Sequence, residues 1–277
     1  MSVAEIHPSA IVAEGARLGA GVKIGPWCSV SAQAVLEEGV ELVSHAVVDG
    51  DTRIGPGTKL MPFASVGLPP QDLKYKGELT RVEIGARCTF REHSTIHRGS
   101  VGGHGLTRIG DNCLIMACAH VGHDCQLSDN VILANNVMLG GHVEIGDTVF
   151  VGGGAAVHQF VRIGRQAVIG GMSGVEADVI PYGACLGDRA RLTGLNLIGL
   201  KRRGFSRPRI HALRAAVRSL FAGDGVFSER LARTRASWGE DPAVAEILAF
   251  MDTHSRRGLM RARVHGLRED EASGEAA

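Results

Sequence analysis

The chain has 277 residues, a formal net charge of +1, 4% aromatic residues and 38 glycines. A near-neutral balance argues against a nucleic-acid-binding domain, which would carry a plainly basic surface, and no apolar stretch is long enough to span a bilayer. Scarce rings and abundant glycine suit a thin core built from Ile, Val and Leu.

Met1 to Ala10 lack the basic start and apolar run of a secretory leader, which points to the cytoplasm. From Ile6 an apolar residue returns every sixth position: Ile6, Val12, Leu18, Ile24, Val30, Leu36, Leu42, Val48, Ile54, Leu60 and Val66. The ladder resumes in phase at Ile84, Phe90 and Ile96, then shifts by one residue and runs from Ile109 to Val175, giving 26 rungs without a polar residue. A period of six suits neither an amphipathic helix nor a half-buried strand. Three hexads instead close one triangular coil of eighteen residues, and coils stack at an inter-strand spacing of about 4.8 Å.

The residue two before each rung is small or β-branched, as at Ala4, Val22, Cys28, Ala34, Cys125 and Val143. Each face of the prism thus has one large plug and one small filler. The residue after the rung is glycine in 12 cases, among them Gly25, Gly55 and Gly140, where we expect unusual backbone angles or close approaches. Of six cysteines, Cys28, Cys88, Cys113 and Cys125 occupy the filler slot and read as packing thiols. Cys118 and Cys185 fall outside it without CxxC spacing, which agrees with a reducing cytosol.

Two insertions break the ladder, residues 67–79 and 98–107, and both are candidate substrate walls. Beyond Pro181 the period fades. Ser206 is placed to cap a helix through Phe221, Asp241 and Pro242 to start one through about Thr253, and Ser228 to open a shorter one between them. The expected organisation is a solenoid over residues 1–190 and a C-terminal helical domain over 191–277 that covers the last coil, with a frayed tail from Arg268 to Ala277.

Seven of the 12 histidines fall in the later solenoid or its loops: His93, His97, His104, His120, His123, His142 and His158. Eighteen-residue stacking puts His123, Gly141 and Gln159 in one column and Asp124, His142 and Phe160 in the next. A histidine beside a carboxylate, with a glycine amide one coil away, can supply a general base and an oxyanion donor. Two other readings stand beside this one: a zinc site built from His120, His123 and His142 as in solenoid carbonic anhydrases, and corner histidines that pack between subunits. The basic run Lys201, Arg202 and Arg203 is either a solvated turn or a contact for phosphates or an acidic carrier.

The hexads resemble the hexapeptide-repeat acyltransferases, a likeness that implies a left-handed parallel β-helix. The strings QDLKYKGELTRVEIG (71–85), STIHRGS (94–100), AHVGHDC (119–125), ILANNVMLGGHV (132–143), AVHQF (156–160) and NLIGLKRRGF (196–205) more closely resemble the UDP-N-acetylglucosamine 3-O-acyltransferases, over essentially the whole chain. That resemblance implies transfer of a 3-hydroxyacyl group from acyl carrier protein to the sugar 3-hydroxyl, the first step of lipid A synthesis, by a homotrimer that uses no metal or other cofactor. It implies that His123 is the general base, Asp124 its orienting carboxylate and Gly141 the oxyanion donor. Asp72, Lys74, His97, His120, His142, Gln159, Asn196, Arg202 and Arg203 become contacts to acceptor, donor or carrier, and Gly171 the floor of the acyl groove. Two positions depart from the family pattern: Ile198 stands in place of a glutamate near the nucleotide, and Arg189 in place of a histidine near the end of the groove. A relative that acylates a 3-amino sugar nucleotide is the nearest alternative.

Overall fold

The computed structural model describes residues 3–263, so the expected frayed tail at 268–277 lies outside the described residues. Most strands are two residues long and end on a rung. They form three parallel sheets of eleven, nine and eight strands, joined in rotation along the chain, with one antiparallel pair at the C-terminal end of the first. Register is the eighteen-residue step: Ile6 pairs with Ile24, Val12 with Val30 and Leu18 with Leu36. This is the left-handed parallel β-helix that the repeat and its resemblance imply.

The plugs fill the prism. Every rung from Ile24 to Val175 is buried, and Phe90, the one ring among them, has no exposed surface. Only the first coil is open, with Ile6 46% exposed. The four filler cysteines are buried as expected. Cys185 is buried too, because it pairs with Ile169 and takes a rung position that the fading period had hidden, whereas Cys118 is exposed.

Each corner solves the same hydrogen-bond problem. The third residue after a rung donates its amide to the second residue after the rung one coil earlier, as from His142 to His123 (2.9 Å) or Asn130 to Asp111 (2.8 Å). That geometry needs a left-handed backbone, so His142, Phe160 and Phe63 have φ near +60° although none is glycine; Asp124 and Trp27 share that φ, with their amides donated to the side-chain hydroxyls of Thr107 and Ser9. Of the two reasons expected for the glycines directly after the rungs, close approach is the one that applies to most of them. Most keep ordinary φ values and are required for close approach: a Cβ on Gly25 would lie 1.8 Å from the Val43 carbonyl oxygen, and one on Gly55 2.6 Å from the Gly85 carbonyl carbon.

The second residue after the rung has an amide that the ladder does not use. Proline therefore fits there, at Pro26, Pro56 and Pro62. At the corner following the third sheet, stacked aspartates take these amides: Ala86 donates to Asp111 (2.8 Å), Asp111 to Asp129 (2.7 Å) and Asp129 to Asp147 (3.2 Å).

After the last coil, strands Gly183–Leu186 and Arg191–Leu195 pair antiparallel and extend the first sheet. Four helices follow: α1 (Leu197–Arg202), α2 (Arg207–Ala222), α3 (Phe227–Trp238) and α4 (Pro242–Asp252). Ser206 and Asp241 cap α2 and α4 as expected. Ser228 does not open α3; it lies inside the helix, whose cap position is Val226, with Glu229 accepting the Val226 amide (3.3 Å). The chain then returns to the solenoid, where Asp178 and Leu192 exchange backbone hydrogen bonds with residues 258–263. Buried Asp178 also accepts from Arg162 (2.7 Å), which reaches on to the Phe250 carbonyl.

Because the Gly25 contact is with backbone that every neighbouring coil depends on, Gly25→Ala should cost about 3 kcal/mol in denaturant unfolding. Gly102→Ala, at a loop position with no atom within 4 Å, should change stability by less than about 0.5 kcal/mol.

Candidate active site at one corner of the solenoid

Both insertions leave the solenoid at the corner that follows the second sheet, after Val66 and after Ile96. The strand ahead of the first runs on to Leu68 and pairing resumes at Arg81; the second occupies 98–105 before the strand Leu106–Ile109. Arg98 ties their bases together, donating to the Gly67 carbonyl (2.6 Å) and pairing with Asp49. His97, His120, His123, Asp124, Gly141, His142 and Gln159 lie on the same corner, which therefore combines loops and titratable groups.

Asp124 and His123 form the centre of this cluster. The left-handed backbone at Asp124 turns its carboxylate into the protein, where it has no exposed surface. Its Oδ2 accepts from His123 Nδ1 (2.7 Å), from the Ser100 amide (3.0 Å) and from the Ser100 hydroxyl (2.7 Å), while its own amide donates to Thr107 Oγ1 (2.8 Å). Burial alone would raise the carboxyl pKa; the bonds from His123 and Ser100 outweigh it and hold the group at about 2. The pair is thus a fixed carboxylate orienting one imidazole.

The other ring nitrogen of His123 faces the next coil, and a Cβ on Gly141 would come within 2.7 Å of Nε2. Gly141 occupies the corner position with the unused amide. Unlike Asp111 and Asp129 at the neighbouring corner, it finds no acceptor among the described residues. A ring nitrogen able to accept a proton and an uncommitted N–H therefore sit side by side.

The remaining histidines surround this pair. The His142 ring meets His123 edge-on (5.0 Å between centroids), stacks on Phe160 (4.4 Å), and Phe160 in turn lies under Arg256 (4.5 Å). His120 bonds Thr95 through Nδ1 (2.7 Å) and meets His97 edge-on (4.9 Å). Burial lowers the pKa of His97 to about 4, helped by His120 and His123, and burial likewise lowers those of His120 and His142. All three are neutral at pH 7, a state suited to hydrogen-bonding hydroxyls.

Among the described residues, the donors that could hold a metal are His123, Asp124 and His142, whose ligating atoms lie within 4.8 Å of one another; His120, part of the expected zinc trio, is not among them. Asp124 Oδ2 already accepts three hydrogen bonds, one of them from His123 Nδ1, so a cation would have to be held by Asp124 Oδ1 and the remaining ring nitrogens.

The other expected residues are spread over the fold. Asp72 and Lys74 stand on the first loop, where Asp72 Oδ1 accepts the Lys74 amide (3.0 Å). Gly171 lies over Gly153 at the corner after the first sheet. Asn196 caps α1, accepting the Gly199 amide (2.9 Å) and donating to Gln166 (2.8 Å), and Arg203 reaches Thr148 (3.4 Å), both at the corner after the third sheet. Arg202 is exposed beside it. Ile198 is 67% exposed and Arg189 pairs with Glu176. One chain does not bring Gly171, Asn196, Arg202 or Arg203 to the His123 corner. Sequence reasoning missed Ser100, Thr107 and Thr95. The available signals were a hydroxyl alone among glycines in RGSVGGHG and a threonine in a filler slot at 107.

A family model described as UDP N-acetylglucosamine O-acyltransferase, domain 2, matches residues 178–260, and one described as bacterial transferase hexapeptide (six repeats) matches 106–141. The acyl-(acyl-carrier-protein)–UDP-N-acetylglucosamine O-acyltransferase of Azorhizobium caulinodans is 52% identical over 94% of this chain and 96% of its own. That of Bartonella henselae is 46% identical over 93% of this chain and 94% of its own. Among solved structures, the UDP-N-acetylglucosamine acyltransferase of Francisella novicida superposes with a TM-score of 0.90 at 32% identity, covering 98% of this chain and 99% of that one. The enzyme from Campylobacter jejuni gives 0.87 at 39% identity, covering 94% and 100%.

The depressed Asp124 pKa has a consequence for stability. A carboxyl lowered from 3.8 to about 2 contributes stability that is complete above about pH 4 and lost as pH falls towards 2. Urea unfolding should therefore show the gap between wild type and Asp124→Asn shrinking by roughly 2 kcal/mol across that window.

Proposed function

The chain belongs to the acyl-carrier-protein-dependent UDP-N-acetylglucosamine O-acyltransferases, and from that membership we propose that His123 is the base with which it moves a 3-hydroxyacyl group onto the sugar 3-hydroxyl of UDP-N-acetylglucosamine. The reaction is the first step of lipid A synthesis. The observation that carries the assignment is the His123–Asp124 pair with Nε2 turned to the uncommitted amide of Gly141.

Nε2 of His123 takes the proton of the 3-hydroxyl as that oxygen attacks the thioester carbonyl carbon. Asp124 balances the imidazolium, and the Gly141 amide stabilises the oxyanion. Collapse of the tetrahedral intermediate breaks the carbon–sulfur bond, and the departing carrier thiolate recovers the proton from His123. A thioester is already an activated donor, so the sequence draws on neither a metal nor a covalent enzyme intermediate.

Neutral His97, His120 and His142 would hold the acceptor hydroxyls, with Asp72, Lys74 and Gln159 beside them. Asn196, Arg202 and Arg203 would meet the nucleotide or the acidic carrier, and Gly171 would floor the acyl groove, where the missing side chain leaves room for a long chain. Their placement on three different corners supports a homotrimer in which adjacent solenoids complete one another's sites. No helix among the described residues is long and apolar enough to cross a membrane, and the reading is of a cytoplasmic enzyme.

Purified protein incubated with 3-hydroxyacyl carrier proteins of graded chain length and UDP-N-acetylglucosamine should give an acylated nucleotide sugar by mass spectrometry; no product at any length would overturn the reading. His123→Ala should lower kcat by about 10²- to 10⁴-fold while the protein stays folded with a melting temperature nearly intact, since Ser100 still holds Asp124. Loss of folding instead would make His123 a structural residue.

A further inference from the structure

The second loop was expected to form a substrate wall, yet its best-defined contacts point inward. Ser100, 5% exposed, gives both its amide and its hydroxyl to Asp124 Oδ2. Three residues on, the backbone lies against the same group: a Cβ on Gly103 would fall 2.5 Å from Asp124 Cγ and 2.4 Å from His142 Cε1. Asp124 Oδ1 is buried and has no hydrogen-bond partner among the described residues, so all the donors seen to fix the carboxylate converge on one oxygen. A carboxylate held by one oxygen can rotate about its Cβ–Cγ bond and offer either oxygen to His123 unless something fixes the rotamer. Two donors from Ser100 on one side and close-packed glycine backbone on the other supply that restraint.

We propose that Ser100 and Gly103 form a positioning clamp, through which loop 98–105 acts on catalysis by fixing the Asp124 rotamer and, through it, the tautomer and aim of His123. The proposal rests on His123 being the general base. Ser100 is a positioning residue, since it touches Asp124 and not the reacting atoms. The charged form of Asp124 is what the Ser100 donors favour, so losing the hydroxyl raises the carboxyl pKa. The titratable groups facing Asp124 are His123 on the same corner and His142 from the next coil, with His104 and Arg256 acting on His142.

The test is steady-state kinetics of the full-length enzyme with 3-hydroxyacyl carrier protein and UDP-N-acetylglucosamine across a pH series. Ser100→Ala should lower kcat roughly 10- to 100-fold with little change in either KM, and activity should be lost at a higher pH on acidification. Ser100→Thr, which keeps the hydroxyl, should restore most of kcat. Gly103→Ala, which presses on the pair while leaving Ser100 intact, should reproduce the kcat-only loss even where Ser100→Ala folds poorly. Wild-type kcat and pH dependence in Ser100→Ala, a change in KM alone, a Thr variant as weak as the Ala variant, or an unaffected Gly103→Ala would each overturn the clamp. A wild-type protein without product, or a fully active His123→Ala, would instead overturn the reading of the site on which the clamp rests.

Discussion

Stacking each coil on the one before it leaves one backbone amide per corner without a partner, and the uses made of that amide organise the molecule. The strand ladders and the left-handed corner residues consume the rest, as the His142 to His123 bond does. At some corners the amide is removed as proline at 26, 56 and 62 or taken by Asp111, Asp129 and Asp147, and at others, such as Ala117, Asn135 and Gly153, it has no acceptor among the described residues. At Gly141 it remains uncommitted beside an imidazole. The donor that the proposed mechanism assigns to the oxyanion is therefore a product of the solenoid's own geometry, held by the coils above and below with no special loop to build it. Preorganisation of this kind is where electrostatic catalysis draws most of its strength.

The same corner geometry explains the chemistry of the pair. A left-handed residue directs its side chain differently from the turn residue before it, which is how adjacent residues His123 and Asp124 come to lie one partly exposed and the other in the interior. The strain at Asp124 is not special to it, since Phe63, Met172 and Arg87 bear the same φ at equivalent corners. The fold imposes that strain everywhere, and the site has put a carboxylate where it turns inward.

Legibility in the sequence followed the eighteen-residue metric and failed where the metric failed. His123, Gly141 and Gln159 share a column, and so do Asp124, His142 and Phe160, because no insertion separates them. His97 and His120 also lie together, but their neighbouring strands pair Thr95 with His120, a step the second insertion lengthens beyond eighteen, so periodicity could not align them. Ser100 lies inside that insertion and has no register at all. The handedness of the coil was not in the period either, since either hand closes a triangle in three hexads. The post-rung glycines were conspicuous, but their cause, a carbonyl of the next coil too close for any Cβ, becomes visible only once the coils are stacked.

A prism has three corners, and the candidate residues occupy all of them. His123 and both loops are on one, Gly171 on a second, and Asn196 with Arg203 on the third. A narrow, densely packed prism cannot bend to bring its own corners together, because its core is a single continuous column of buried aliphatic side chains. The expected residues can act on one substrate only if a second solenoid presents its second or third corner to the first corner of its neighbour. Around a threefold axis that arrangement would repeat and close, which is the homotrimer proposed above. The rigidity that fixes His123 against Gly141 within one chain is thus the same property from which the proposal of a second chain at the cleft follows.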